Sequence, residues 1–163
     1  MKVLKKQTNS KMCFICGVDN PYGLKAEFYE MENNTVVTFV EYKEIHQSYP
    51  GRTHGGLISA LLDEIAGRAI WIYEDVWGVT TNLNVKFRKV VPYGTKLKAV
   101  GEITKNTKRA FVGVGKLYDN EGNLLAEAEA TYLKLPLDKI STDEDSHEDV
   151  NVFIPDDIKE LEV

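Results

Sequence analysis

With 163 residues, 43% of them hydrophobic and 10% aromatic, the chain has one-domain length and enough apolar side chains to bury a substantial core. No charged-then-apolar leader opens it and it holds no apolar run of about 18 residues, so a cytoplasmic protein is expected, with neither secretion nor membrane insertion. The net charge of −5 is uneven: residues 1–135 hold 18 Lys and Arg against 15 Asp and Glu, and residues 136–163 hold 2 against 10. The acidity thus belongs to the tail. Charge alone does not exclude nucleic acid from a mildly basic body, but no binding motif accompanies it and no nucleic-acid partner is expected.

Residues 1–12 are Lys-rich and aperiodic, which predicts a loosely held arm, reckoned here as residues 1–23. Cys13 and Cys16, the only cysteines, lack the two further nearby Cys or His of a usual zinc site. A reduced, packed pair is the plainer reading, a metal shared with His46 or a second subunit the other, and no metal or cofactor is expected. Leu24, Ala26 and Phe28 alternate with polar neighbours, Glu32-Asn33-Asn34 supplies a turn, and Val36 to Val40 is β-branched; together these predict a hairpin.

From His46 the chain reads His-Gln-Ser-Tyr-Pro-Gly-Arg-Thr-His-Gly-Gly and continues through Leu57, Ile58, Leu61, Leu62, Ile65, Ala66, Ala69 and Ile70. That spacing of three or four predicts a helix, apolar on most of its circumference and therefore wrapped by other structure. Val79 to Arg88 alternates as a strand, with Thr80, Asn82, Asn84, Lys86 and Arg88 on its polar face. Strands at Lys96–Lys105, Ala110–Tyr118 and Leu124–Leu135 follow, the last two joined by the turn signal Asp119-Asn120-Glu121-Gly122. Gly113 and Gly115 predict a bend or a close approach of other backbone. The order β-β-α-β-β-β-β buries itself only if a curved antiparallel sheet wraps the single helix over residues 24–135, an α+β arrangement. The tail, 136–163, carries five acids between Ser141 and Asp149 and is expected to be disordered and dispensable for folding.

Two features of the helix point to chemistry. Gly55 and Gly56 sit at its start, where unpaired N–H groups and the positive dipole end can face a partly negative oxygen. Asp63 lies among Leu61, Leu62, Ile65 and Ala66, where a carboxylate is costly to bury without a partner. Taken singly, the glycines also fit a tight turn and Asp63 a structural carboxylate. His54-Gly55-Gly56 with Asp63 six residues on, preceded by Gln47 and Pro50-Gly51 and followed by Glu64, resembles the signature of hotdog-fold acyl-CoA thioesterases of the phenylacetate-pathway type. Gly78 to Phe87 is similar to that family's next strand, and Cys13-Phe14-Ile15-Cys16-Gly17 with Asn20-Pro21-Tyr22-Gly23-Leu24 to an N-terminal segment of one branch.

The resemblance implies a hotdog fold and hydrolysis of an acyl-CoA thioester, with Gly55 N–H, helped by Gly56, polarising the carbonyl. Asp63 then activates water as general base or attacks as nucleophile, and one sequence does not choose. His54 is expected to orient loop backbone rather than act as base. Thr80 and Asn82 are candidates to orient the water or carboxylate, and Gln47 and Ser48 to fix the thioester. Gly55 and Asp63 are eight residues apart, about 12 Å along a helix, too far to contact one carbonyl. Two helices antiparallel across a twofold axis would bring the glycine end of one beside the aspartate of the other, with small Gly56, Ala60 or Ser59 and Gly67 easing the approach. The resembled family shares its site between subunits in this way; a homodimer is therefore expected, and a dimer of dimers beyond it.

Eight basic residues against one acid lie between Lys86 and Arg109, making Arg88, Lys89, Lys105, Lys108 and Arg109 candidates for the CoA phosphates, or a solvated hairpin face. Two other classes fit the pattern. A hotdog hydroxyacyl-thioester dehydratase needs a His with an acid, which His54 and Asp63 supply; a non-catalytic acyl-CoA-binding protein keeps the pocket without needing Asp63.

Overall fold

A computed structural model describes residues 1–142 and 145–162. Strand β1 (Val3–Lys6) precedes the short strands β2 (Tyr29–Met31) and β3 (Val36–Glu41), then helix α1 (Gly55–Arg68), β4 (Trp77–Phe87), β5 (Lys96–Asn106), β6 (Ala110–Tyr118) and β7 (Leu124–Leu135). Two single-turn helices, α2 (Leu137–Ile140) and α3 (Ser146–Asp149), follow. Among the described residues the seven strands form one antiparallel sheet in the order β1-β2-β3-β5-β6-β7-β4, with α1 across β5, β6 and β7. One long helix wrapped by an antiparallel sheet is the arrangement the periodicity predicts and the hotdog fold the resemblance implies. No helix among the described residues is long and apolar enough to cross a membrane.

The apolar stripe of α1 drives this packing. Leu61, Leu62, Ile65 and Ala66 have no accessible surface, and each of the larger three contributes about 1.5–3 kcal/mol through burial. The helix backbone comes close to the sheet where the strand residues beneath it are glycines. A Cβ on Gly113 would sit 2.4 Å from the Ala66 carbonyl oxygen, and one on Gly101 2.2 Å from that of Ile65. Gly113 thus answers to the close approach its position in a strand predicted. Gly101→Val should therefore push α1 off the sheet and cost about 3 kcal/mol, read as a lowered urea midpoint; an unchanged midpoint would mean the helix can shift at no cost.

The ends depart from expectation. The arm is not loose: β1 pairs with β2, adding a strand at the sheet edge. The tail, expected to be disordered, folds back along the arm in its described part. Asn9 and Val152 exchange backbone hydrogen bonds of 2.7 and 2.9 Å, Val3 N–H donates to Lys159 O at 2.8 Å, and the buried Lys6 ammonium contacts Asp156 at 2.7 Å and Glu27 at 2.9 Å. The tail's acids find the arm's lysines, so its charge docks it instead of merely solvating it. Of the acids on which disorder was argued, Asp143 and Glu144 lie outside the described residues.

Strand β4 also differs. An alternating strand with one apolar and one polar face was expected; β4 is the terminal strand of the sheet, and Val79, Leu83 and Phe87 stay exposed. Its register with β7 shifts between Thr80, opposite Tyr132, and Asn82, opposite Thr131. Paired residues share a face and successive ones alternate, so this bulge turns Thr80 and Asn82 to opposite sides of the sheet.

Candidate functional site

The start of α1 is built by His54. Its backbone is extended (φ −66°, ψ 131°), its carbonyl accepts the N–H groups of Leu57 and Ile58, and its Nδ1 accepts Gly56 N–H at 2.9 Å. This is an N-cap made by an imidazole, with the ring proton accordingly on Nε2 in the neutral form. Gly56 N–H is therefore occupied, contrary to the helping role expected of it. Gly55 N–H, at the first helical position, has no acceptor within the helix. It borders an open cavity of about 380 Å³, lined also by Ser48, Arg52, Phe87, Arg88 and Lys89.

Asp63 sits two turns further on. Thr80 Oγ1 donates to its carboxylate, 3.0 and 3.1 Å from the two oxygens, and Tyr132 OH donates to its backbone carbonyl at 2.6 Å. Burial raises the carboxyl pKa above its ordinary value; hydrogen bonds from Thr80 and Tyr132 oppose the rise, and neighbouring Glu64 adds to it. A half-buried carboxylate held by one hydroxyl and raised in basicity is suited to taking a proton from water. It opens on a second cavity, of about 220 Å³, lined by Thr80, Trp77, Tyr132, Cys13, Glu64 and Arg68.

The two cavities lie at opposite ends of β4. Gly55 faces the Phe87 ring, 3.4 Å from where its Cβ would be, and Asp63 is tied to Thr80 at the other end. The remaining candidates divide likewise. Ser48 borders the Gly55 cavity, whereas Gln47 does not; it is exposed and forms an isolated bridge with Thr53. Asn82 faces away from Asp63 because of the bulge. Arg88 and Lys89 donate backbone N–H groups to Leu125 O, and Lys134 donates to Arg109 O. Leu125 and Lys134 are nine residues apart on β7, about 30 Å, so the single basic patch expected of Arg88, Lys89, Lys108 and Arg109 is two patches within one chain. Arg88 is further engaged by Glu127.

The imidazole of His46 is buried, bonded to Lys43 N–H and Tyr22 O, which is a structural role. Tyr132 was missed by sequence reasoning, although the alternation Ala128, Ala130, Tyr132 already turns it to the helix side of β7. Cys13, Cys16 and Glu64 offer ligand atoms within 4.8 Å of one another, the group among the described residues able to hold a metal ion.

The hotdog domain thus joins a free N–H at its helix start to a half-buried carboxylate two turns on. Comparison agrees: residues 50–126 of the chain match the thioesterase superfamily. Acyl-coenzyme A thioesterase THEM4 of Mus musculus is 31% identical over 116 residues and that of Rattus norvegicus 28% over 115, in each case 70% of this chain and 49% of the relative. The chain thus spans about half the length of these curated relatives. Among solved structures, a Bacillus halodurans protein crystallised with CoA is 25% identical with a TM-score of 0.62, over 69% of this chain and 76% of that one.

Proposed function

We propose that the chain hydrolyses an acyl-CoA thioester to a free acid and CoA, at sites that each draw on two subunits of a homodimer, with a dimer of dimers as the larger assembly. The observation that carries this reading is the division of the chemistry between the two ends of β4, a strand that lies on an open sheet edge. If two β4 edges pair antiparallel about a twofold axis, the free Gly55 N–H of one subunit comes beside Asp63 and Thr80 of the other. The same pairing turns the Lys108–Arg109 end of one subunit toward the Arg88–Lys89 end of the other, so residues split within one chain can serve the phosphates of one CoA. Support comes also from the activity in the names of the two mammalian relatives and from the CoA bound by the Bacillus halodurans protein.

In this site Gly55 N–H stabilises the oxyanion formed at the thioester carbonyl. Asp63 takes the proton of the attacking water, and Thr80 orients the carboxylate. Membership of the phenylacetate-pathway branch is part of the proposal and rests on the run from His54 to Glu64. The dehydratase reading loses ground because His54 Nδ1 is spent on Gly56 N–H. A panel of acyl-CoAs of varied chain length and aryl character, followed by release of free CoA thiol, tests the reading. Hydrolysis of at least one member is expected; CoA binding without turnover of any would leave a non-catalytic acyl-CoA-binding protein.

Burial raises the Asp63 carboxyl, so hydrolysis should be full above the folded-state pKa and fall as pH drops through it, at a higher pH than for an ordinary aspartate. Thr80→Val removes a hydrogen bond that lowers this pKa. The acidic limb of the kcat/KM profile should then move to higher pH; a limb that stays in place would separate Thr80 from the carboxylate's titration.

A further inference from the structure

The loop ahead of β2 builds a second piece of chemistry. Cys13 Sγ accepts the backbone N–H groups of Ile15 at 3.4 Å and Cys16 at 3.5 Å, and Gly17 N–H closes the turn on Cys13 O at 2.8 Å. A Cβ on Gly17 would lie 2.3 Å from that oxygen, so the turn requires glycine. Both cysteines are free thiols, Cys13 half-buried and Cys16 fully buried. Against Cys16 Sγ, 3.1 Å away, lies the Nη2 of Arg68.

Arg68 is fixed where it stands. It is buried, its Nε donates to Glu64 at 2.7 Å, its Nη1 to Thr8 O at 2.9 Å, and its guanidinium stacks 4.3 Å above the Phe28 ring. A permanent cation held this way disfavours a metal dication, because two of the three candidate ligands, Cys16 and Glu64, already face it. It favours an anionic sulfur. Cys16 is the buried sulfur that the guanidinium faces, whereas Cys13 lines the open cavity. The sulfurs lie within 4.8 Å of each other, near enough for a side-chain rotation to bring them to bonding distance.

We propose that Cys13 and Cys16 form a thiol–disulfide exchange site that takes low-molecular-weight disulfides. Cys13, the accessible sulfur, gives its proton to solvent and attacks as thiolate one sulfur of R–S–S–R. The S–S bond of the oxidant breaks, RS⁻ departs and is protonated, and Cys13 carries a mixed disulfide. Cys16, held as thiolate against Arg68, attacks the Cys13 sulfur, forms the Cys13–Cys16 bond and expels the second RS⁻, which takes a proton from solvent. In sum the dithiol is oxidised by two hydrogens and R–S–S–R is reduced to two RSH. Because Arg68 stabilises the thiolate, the reduced form is favoured and the disulfide is reversible rather than structural. The site is independent of any hydrolysis at Asp63, although both line the same cavity.

The test uses the full chain, freed of reductant, incubated with glutathione disulfide and followed by intact mass and peptide mapping. The wild type is expected to lose two hydrogens through a Cys13–Cys16 bond, keep no glutathione, and return to its starting mass with dithiothreitol. Cys16→Ser should hold one glutathione on Cys13, and Cys13→Ser should react at least tenfold more slowly, since Cys16 is buried. Three results would overturn the proposal: a folded wild type that stays unreacted while the guanidinium-unfolded chain forms the bond, a wild type that retains glutathione, or thiols blocked by stoichiometric zinc until a chelator removes it.

Discussion

Asp63→Asn is expected to lower kcat for acyl-CoA hydrolysis by about 10²–10⁴-fold, the range that a positioned general base contributes, with little change in KM. Asn keeps the shape of the side chain and still accepts from Thr80 Oγ1 through its amide oxygen, but it can neither take a proton from water nor attack a carbonyl as a carboxylate does. The other anchor, the bond from Tyr132 OH to the backbone carbonyl of residue 63, is kept in the exchange. The urea midpoint should therefore stay near that of the wild type. Turnover at the wild-type rate would remove Asp63 from the chemistry and, with it, the hydrolytic reading of this cavity.

The second large effect is a recovery. Gly55→Pro deletes the N–H assigned to the oxyanion without breaking the helix. Residue 55 is the first helical position, where proline is well tolerated, and His54 before it already has the extended backbone that a following proline demands. The space is adequate too, the nearest atoms to a Cβ there being the Phe87 ring at 3.4 Å. Each homodimer, of Gly55→Pro or of Asp63→Asn, should be nearly inactive. A mixed dimer made by subunit exchange has one site with both defects and one with neither, and about half the wild-type activity should return. Verified mixed dimers that stay inactive, although both variants fold, would put Gly55 and Asp63 in the same site of one chain.

The contrast between the basic residues and the cysteines shows where sequence reasoning stops. Arg88 and Arg109 look like one cluster along the chain because only the basic strand β5 lies between them, yet pairing of β4 and β6 with opposite ends of β7 separates them. Cys16 and Arg68 are 52 residues apart and touch; the spacing of Glu64 and Arg68, one helical turn, was visible but says nothing of a sulfur beyond it.

The amino-acid pattern by itself determined the single apolar helix from Gly55, the strands after it and the misfit carboxylate at Asp63, because periodicity and burial cost are local properties that each residue carries with its neighbours. Only the tertiary structure decided that Thr80 bonds Asp63 while Asn82 faces away, since one bulge in β4 reverses a two-residue alternation. It likewise decided that His54 Nδ1 occupies Gly56 N–H and leaves Gly55 free. The docking of the acidic tail on the arm was also beyond the sequence: a run of like charges reads as solvated until the fold brings Lys6 to Asp156, 150 residues away. Such pairings depend on which surfaces the sheet brings together, and no local pattern encodes that.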